Sequence, residues 1–176
     1  TEDGSTVPAA YLTADEQEVT VEYNETAEVA FENIEKTGEI KVTKTTVGNI
    51  NVSGITFNLR GTSDSGRDID IPAVTDENGV AIFSEIPIGT YTIYEDEKTV
   101  PTAYLVADPQ NVTVTYAETK EVPIENKEKT GSITVHKTTE GQKNIEGIKF
   151  YLRGTSDSGR AIDIPATTDK DGIAKF

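Results

Sequence analysis

Apolar and polar residues alternate in short runs along much of the chain: Glu39–Thr46, Ile55–Arg60, Thr90–Glu95, Asn111–Tyr116 and Glu121–Asn126. A strand turns successive side chains to opposite faces, so a period of two predicts strands with one face against a core. Gly, Pro, Asn or Asp bound each run, as expected where strands give way to turns. Asn78-Gly79 and Asp171-Gly172 are dipeptides favoured in tight hairpin turns. No stretch keeps apolar residues at i, i+3 and i+4 over three turns, so helix should be minor. Several short strands at this spacing predict an all-β, antiparallel sandwich.

The pattern repeats. Gly-Thr-Ser-Asp-Ser-Gly-Arg stands at Gly61–Arg67 and again at Gly154–Arg160, an offset of 93 residues. At that offset Gly131–Phe176 matches Gly38–Phe83 at 30 of 46 positions, and Glu2–Thr37 matches Glu95–Thr130 at 24 of 36. The sequence therefore reads as an array of similar units. Residues 38–130 form one complete unit, 1–37 the C-terminal part of another, and 131–176 the N-terminal part of a third. Glu35-Lys36-Thr37 and Glu128-Lys129-Thr130 are joints too short to let units wander.

Strand phase then singles out three polar residues. Ile40, Val42 and Lys44 share a face, as do Tyr91, Ile93 and Glu95, and Val122, Ile124 and Asn126. Three apolar rows thus end in an amine, a carboxyl and a carboxamide. Such groups are costly inside a core unless they are paired or neutral. The plain alternative is that each row ends at the sheet rim and its polar head reaches water. The partial units carry the same rows: Ile133, Val135 and Lys137, then Val29, Phe31 and Asn33, with Glu2 at the Glu95 position.

Composition narrows the function classes. Among 176 residues, 31 are Asp or Glu and 16 are Lys or Arg, a net charge of −15. This argues against nucleic acid and against an anionic membrane surface as partners. Hydrophobic residues make up 35% and include no long apolar run, so neither a membrane-spanning helix nor a signal-peptide core is expected. Without Cys there is no disulfide, thiolate metal site or cysteine nucleophile. Without Met there is no initiator, which suggests a processed or excised piece.

Gly38-Glu-Ile-Lys-Val-Thr-Lys44, Gly89-Thr-Tyr-Thr-Ile-Tyr-Glu95, Pro101-Thr-Ala-Tyr104 and Glu125-Asn126, in this order and spacing, resemble the Cna B-type domain. That is the prealbumin-like (SpaA-like) repeat of Gram-positive surface adhesins and pilins. The resemblance covers the complete unit and, piecewise, both flanks. One departure is that Tyr104 is not preceded by Gly. The resemblance implies an Ig-like or prealbumin-like sandwich on an extracellular, wall-anchored protein. It also implies an intramolecular isopeptide bond from Lys44 to Asn126 assisted by Glu95, with Lys137, Asn33 and Glu2 as equivalents in the partial units. A dry surround favours a neutral amine. A protonated Glu95 would hydrogen-bond the Asn126 carboxamide oxygen and relay protons. The bond forms once per domain, so no turnover enzyme and no cofactor is implied.

The flanking parts are complementary. Residues 1–37 bring Glu2 and Asn33 but no first-strand lysine, and residues 131–176 bring Lys137 alone. Their net charges are −9 and +1. Two readings stay open. The boundaries reflect how a longer array was cut, or the ends of different chains join head to tail, Lys137 to Asn33. Exposed strand edges should pair between chains where both parts are ordered. Partners are thus neighbouring repeats, with a host protein or glycan as the alternative reading of a ligand-binding module.

Other features rank lower. Asp76, Asn78, Asp169 and Asp171 could be calcium oxygens, but hairpin turns explain them. Ser63–Gly66 and Ser156–Gly159 lack a His partner and read as turns. His136 lies on the phase opposite Lys137, facing solvent. Asn24, Asn51 and Asn111 begin Asn-X-Ser/Thr triplets, which carry little weight here.

Overall fold

The computed structural model describes residues 1–48, 51–141 and 144–176. Among the described residues, seven strands between Thr37 and Asn126 build two sheets. The first holds β1 (Thr37–Thr46) between β4 (Val80–Pro87) and β7 (Thr119–Asn126). The second runs β3 (Asp68–Val74), β2 (Thr56–Thr62), β5 (Gly89–Glu95) and β6 (Gln110–Val114), with every neighbouring pair antiparallel. The inner faces meet in a dry core. Ile40 and Val42 from β1 pack with Phe57, Leu59, Phe83, Tyr91, Ile93, Val112, Val122 and Ile124, each no more than 6% exposed. These are the apolar positions of the alternating runs, and each buried aliphatic or aromatic side chain contributes roughly 1.5–3 kcal/mol.

One expectation needs correction. The sandwich is mixed rather than wholly antiparallel, because β1 and β7 pair in parallel, from Glu39 opposite Thr119 to Thr46 opposite Asn126. A two-residue period fixes which face is buried but says nothing about strand direction. The parallel register sets Lys44 opposite Ile124 and Asn126 two positions further on, so both side chains leave the same face of neighbouring strands.

The remaining elements repeat local pieces of this plan. β8 (Thr134–His136) pairs with β11 (Ile173–Lys175), and β9 (Lys149–Thr155) with β10 (Ala161–Thr167), both antiparallel. Their registers copy β1–β4 and β2–β3: Thr43 opposite Val80 becomes His136 opposite Ile173, and Gly61 opposite Ile69 becomes Gly154 opposite Ile162. His136 is exposed. In residues 1–36 the described pairing is the bridge of Tyr11 to Glu35, which corresponds to that of Tyr104 to Glu128.

The acidic turns close on themselves. Asp76 Oδ1 accepts from the backbone N–H groups of Asn78 and Val80 at 2.8 and 2.9 Å, and Asp169 Oδ1 accepts from those of Asp171 and Ile173, both at 2.9 Å. These backbone donors hold both carboxyls below their ordinary value, that of Val80 or Ile173 most strongly. Gly79 follows in the first turn at φ +75°, and a Cβ there would stand 2.7 Å from the Lys44 carbonyl oxygen. Gly79→Ala should therefore lose at least about 1–2 kcal/mol from left-handed strain, with crowding adding to it. Urea unfolding of the two chains checks this.

Candidate functional site

Two sheets place the three row-ending side chains together. β1 delivers Lys44, β7 delivers Asn126, and β5 delivers Glu95 from the facing sheet. The Lys44 side chain is 0% exposed, that of Glu95 1%, and Asn126 as a residue 0%. The rows do not run out into water at a sheet rim. They end inside.

Each contact has a direction. Asn126 donates both N–H bonds of its carboxamide, one to Glu95 Oε2 at 2.6 Å and one to the Leu105 carbonyl at 2.9 Å. The Ala107 N–H also donates to Glu95 Oε2, at 2.8 Å. The other carboxyl oxygen, Glu95 Oε1, lies 3.9 Å from Lys44 Nζ. The Lys44 amine donates to the Thr45 carbonyl at 2.7 Å and, more weakly, to that of Ile124 at 3.4 Å. Glu95 thus meets the carboxamide through its nitrogen, not through its oxygen as the sequence led us to expect. The reason is that the Leu105 carbonyl and the carboxyl both call for donors on that side.

Burial is the largest influence on the amine. It lowers the Lys44 pKa below the ordinary 10.5, against opposing pulls from Glu95 and then Glu125. Glu95 Oε1 and Asn126 Oδ1 are buried and have no hydrogen-bond partner among the described residues. Two such orphans cost about 1–3 kcal/mol each. The arrangement is therefore strained towards any change that would satisfy or remove these atoms.

The second set is split. Asn33 donates to Glu2 Oε2 at 2.7 Å and to the Leu12 carbonyl at 3.0 Å, and the Ala14 N–H donates to Glu2 Oε2 at 2.8 Å. This reproduces the Glu95–Asn126 geometry, bond for bond, in a half-buried setting. Lys137 instead donates to the Thr138 carbonyl at 2.5 Å, and among the described contacts it joins neither Glu2 nor Asn33. Sequence reasoning missed the backbone groups of Leu105 and Ala107. The signal for them was present in Ala103-Tyr104-Leu105-Val106-Ala107-Asp108, which repeats Ala10-Tyr11-Leu12-Thr13-Ala14-Asp15.

The stretch that builds this mixed sandwich is matched by a known domain family. Residues 38–128 match SpaA, the prealbumin-like fold domain. The chain belongs to this family. Among solved structures, this prealbumin-like chain is similar to the Bacillus anthracis TIE protein, with a TM-score of 0.57 and 22% identity over 82% of this chain and 26% of that one. At that identity the likeness is one of fold. More partial matches are GBS52, the minor pilin of Streptococcus agalactiae (TM-score 0.46, 24% identity, 57% of this chain and 48% of that one), and BcpA, the major pilin subunit of Bacillus cereus (0.42, 28%, 57% and 35%). The chain thus spans about a quarter to a half of these relatives. No curated protein matched it.

The lowered Lys44 pKa has a consequence for stability when no bond can form. Between the folded-state pKa and the ordinary 10.5, the unfolded chain binds the extra proton, so stability rises with pH across that window. An Asn126→Ala chain should accordingly resist urea better as pH is raised from neutral towards 10.5. Lys44→Met in the same background should remove that rise, and urea midpoints of the two variants measured side by side decide the matter.

Proposed function

We propose that this prealbumin-like unit is a structural spacer in a cell-surface adhesin or pilus-like protein of a Gram-positive bacterium. In this reading a self-formed isopeptide bond between Lys44 and Asn126 holds it shut. The observation that carries the reading is the position of one carboxyl between two reaction partners. Glu95 Oε2 holds the nitrogen that would leave, and Oε1 faces the amine that would attack.

The step balances without a cofactor. The neutral Lys44 amine adds to Cγ of Asn126. Glu95 takes the proton from the amine and delivers one to the departing Nδ2, so one amide forms and one ammonia leaves. Holding the groups in contact is worth roughly 7–11 kcal/mol relative to a bimolecular encounter. That advantage matters because a carboxamide is a poor electrophile. The reaction also removes the buried amine as a charged species and gives the orphaned atoms a new arrangement in which to find partners.

The bond would span 82 residues. Treated as a cross-link, it stabilises by about 4.5 kcal/mol through loop entropy. Tension entering at β1 and leaving at β7 would run through the cross-link and leave most of the sandwich unloaded. The 93-residue repeat fits a stalk assembled from tandem units outside the cell. Nothing in this scheme turns over.

A second reading concerns the terminal parts. Val29 and Phe31 are 40% and 43% exposed, whereas their counterparts Val122 and Ile124 are 6% and 3% exposed. Ile133 is 46% exposed where Ile40 is fully buried. We propose that these rows are covered by complementary strands, either from further units of the same chain or from a second copy joined head to tail.

Intact mass tests the chemistry: the chain should weigh one ammonia less than its sequence for the complete unit. Lys44→Ala and Glu95→Ala should each restore the full mass and lower resistance to heat and protease. Full mass in the parent chain would end the covalent reading. On a denaturing gel, a ladder above the monomer is the outcome expected of head-to-tail joining by Lys137 and Asn33, and monomer alone would dismiss it.

A further inference from the structure

The repeated Gly-Thr-Ser-Asp-Ser-Gly-Arg loops are turns, but they do more than reverse the chain. Each closes on itself first. The Ser63 N–H donates to the Arg67 carbonyl, the Gly66 N–H donates to the Ser63 carbonyl, and the Ser63 and Ser65 hydroxyls lie 2.7 Å apart. The second loop repeats this with Ser156, Arg160, Gly159 and Ser158.

Each then reaches out to the joint ahead of it. The Ser65 hydroxyl donates to Glu35 Oε1, and Arg67 Nη1 pairs with Glu35 Oε2 at 3.1 Å. At the same offset, the Ser158 hydroxyl donates to Glu128 Oε1, and Arg160 Nε donates to Glu128 Oε2 at 2.9 Å. One joint carboxylate is held through both oxygens, by a serine on one and an arginine on the other. Such two-point, charge-assisted contact carries geometric specificity that a single surface pair lacks. Glu128 is only 11% exposed in its side chain and Glu35 21%.

The second loop also has a seat made by the complete unit. Ser158 is 1% exposed, and Gly48, at φ +102°, lies so close that a Cβ there would stand 2.7 Å from the Ser158 carbonyl oxygen. Beside it, the buried Tyr104 donates its hydroxyl to the Val47 carbonyl. Glu128 comes two residues after the end of β7 and Gly48 two residues after the end of β1. The loop therefore docks on the pole where both strands finish.

We propose that the Ser-Asp-Ser-Gly-Arg loop is a latch whose partner is the joint glutamate of the preceding unit, and that it fixes the orientation between successive units. The proposal uses the idea of successive units but stands without the Lys44–Asn126 bond. The absence of native cysteine allows a direct test, with spin labels on Lys120→Cys and Lys149→Cys, both exposed positions flanking the joint. In the full chain, the distance between labels should form one narrow peak. Glu128→Arg alone and Arg160→Glu alone should each lose that peak to a broad distribution, while the double charge swap should recover it. Circular dichroism of each variant verifies that the strands persist. A narrow peak that survives both single variants, a broad one in the parent chain, or no recovery in the swap would overturn the latch. Repeating the measurement in Lys44→Ala separates the two ideas, since the peak should persist there even with the covalent bond abolished.

Discussion

An amine removed from water sets the terms for this domain. Lys44 ends an apolar row on β1, and its neighbours on that face are Ile40 and Val42. Burial of its charged form is costly, and the nearest carboxyl oxygen is 3.9 Å away, too far for a hydrogen bond. The sandwich tolerates this because the rest of the core is dry and well populated with aliphatic and aromatic side chains. The energetic tension at one point is carried by packing everywhere else, which is the usual way a fold sustains a strained site.

The acid and the amide are organised without the amine. Glu2 and Asn33 adopt the contacts of Glu95 and Asn126 although, among the described residues, no lysine joins them. Only 31 residues separate each acid from its amide, and the intervening stretch supplies a Leu carbonyl (Leu12 or Leu105) and, two residues on, an Ala N–H (Ala14 or Ala107) that orient both. The amine, by contrast, arrives from a strand 80 positions from its cross-strand partner Ile124. The arrangement thus has a locally encoded half and a half that depends on the whole sandwich closing.

This division explains what could be read from the sequence. Lys44, Glu95 and Asn126 were legible because a strand has a period of two, and a polar residue at the end of an inward row stands out against its neighbours. The parallel pairing of β1 and β7 was not legible, since alternation is the same in either direction. The side of Asn126 that faces Glu95 depends on the Leu105 carbonyl, and no side-chain pattern reports a backbone oxygen. Ser156–Gly159 reads as a turn in the sequence, but the grip of this loop on Glu128 does not, because the two lie about 30 residues apart with nothing in either segment to mark the other.

The contact between joint glutamate and loop joins two different patches. A surface that binds itself closes into a symmetric pair, whereas one patch meeting another leaves a fresh copy of each free for the next member. If successive units all made this contact, each addition would repeat the same rotation and the same rise, and unless that rotation closed a ring the series would be an open filament with a direction along its axis. The twist of the filament would be written into the geometry of one carboxylate, one hydroxyl and one guanidinium at each joint.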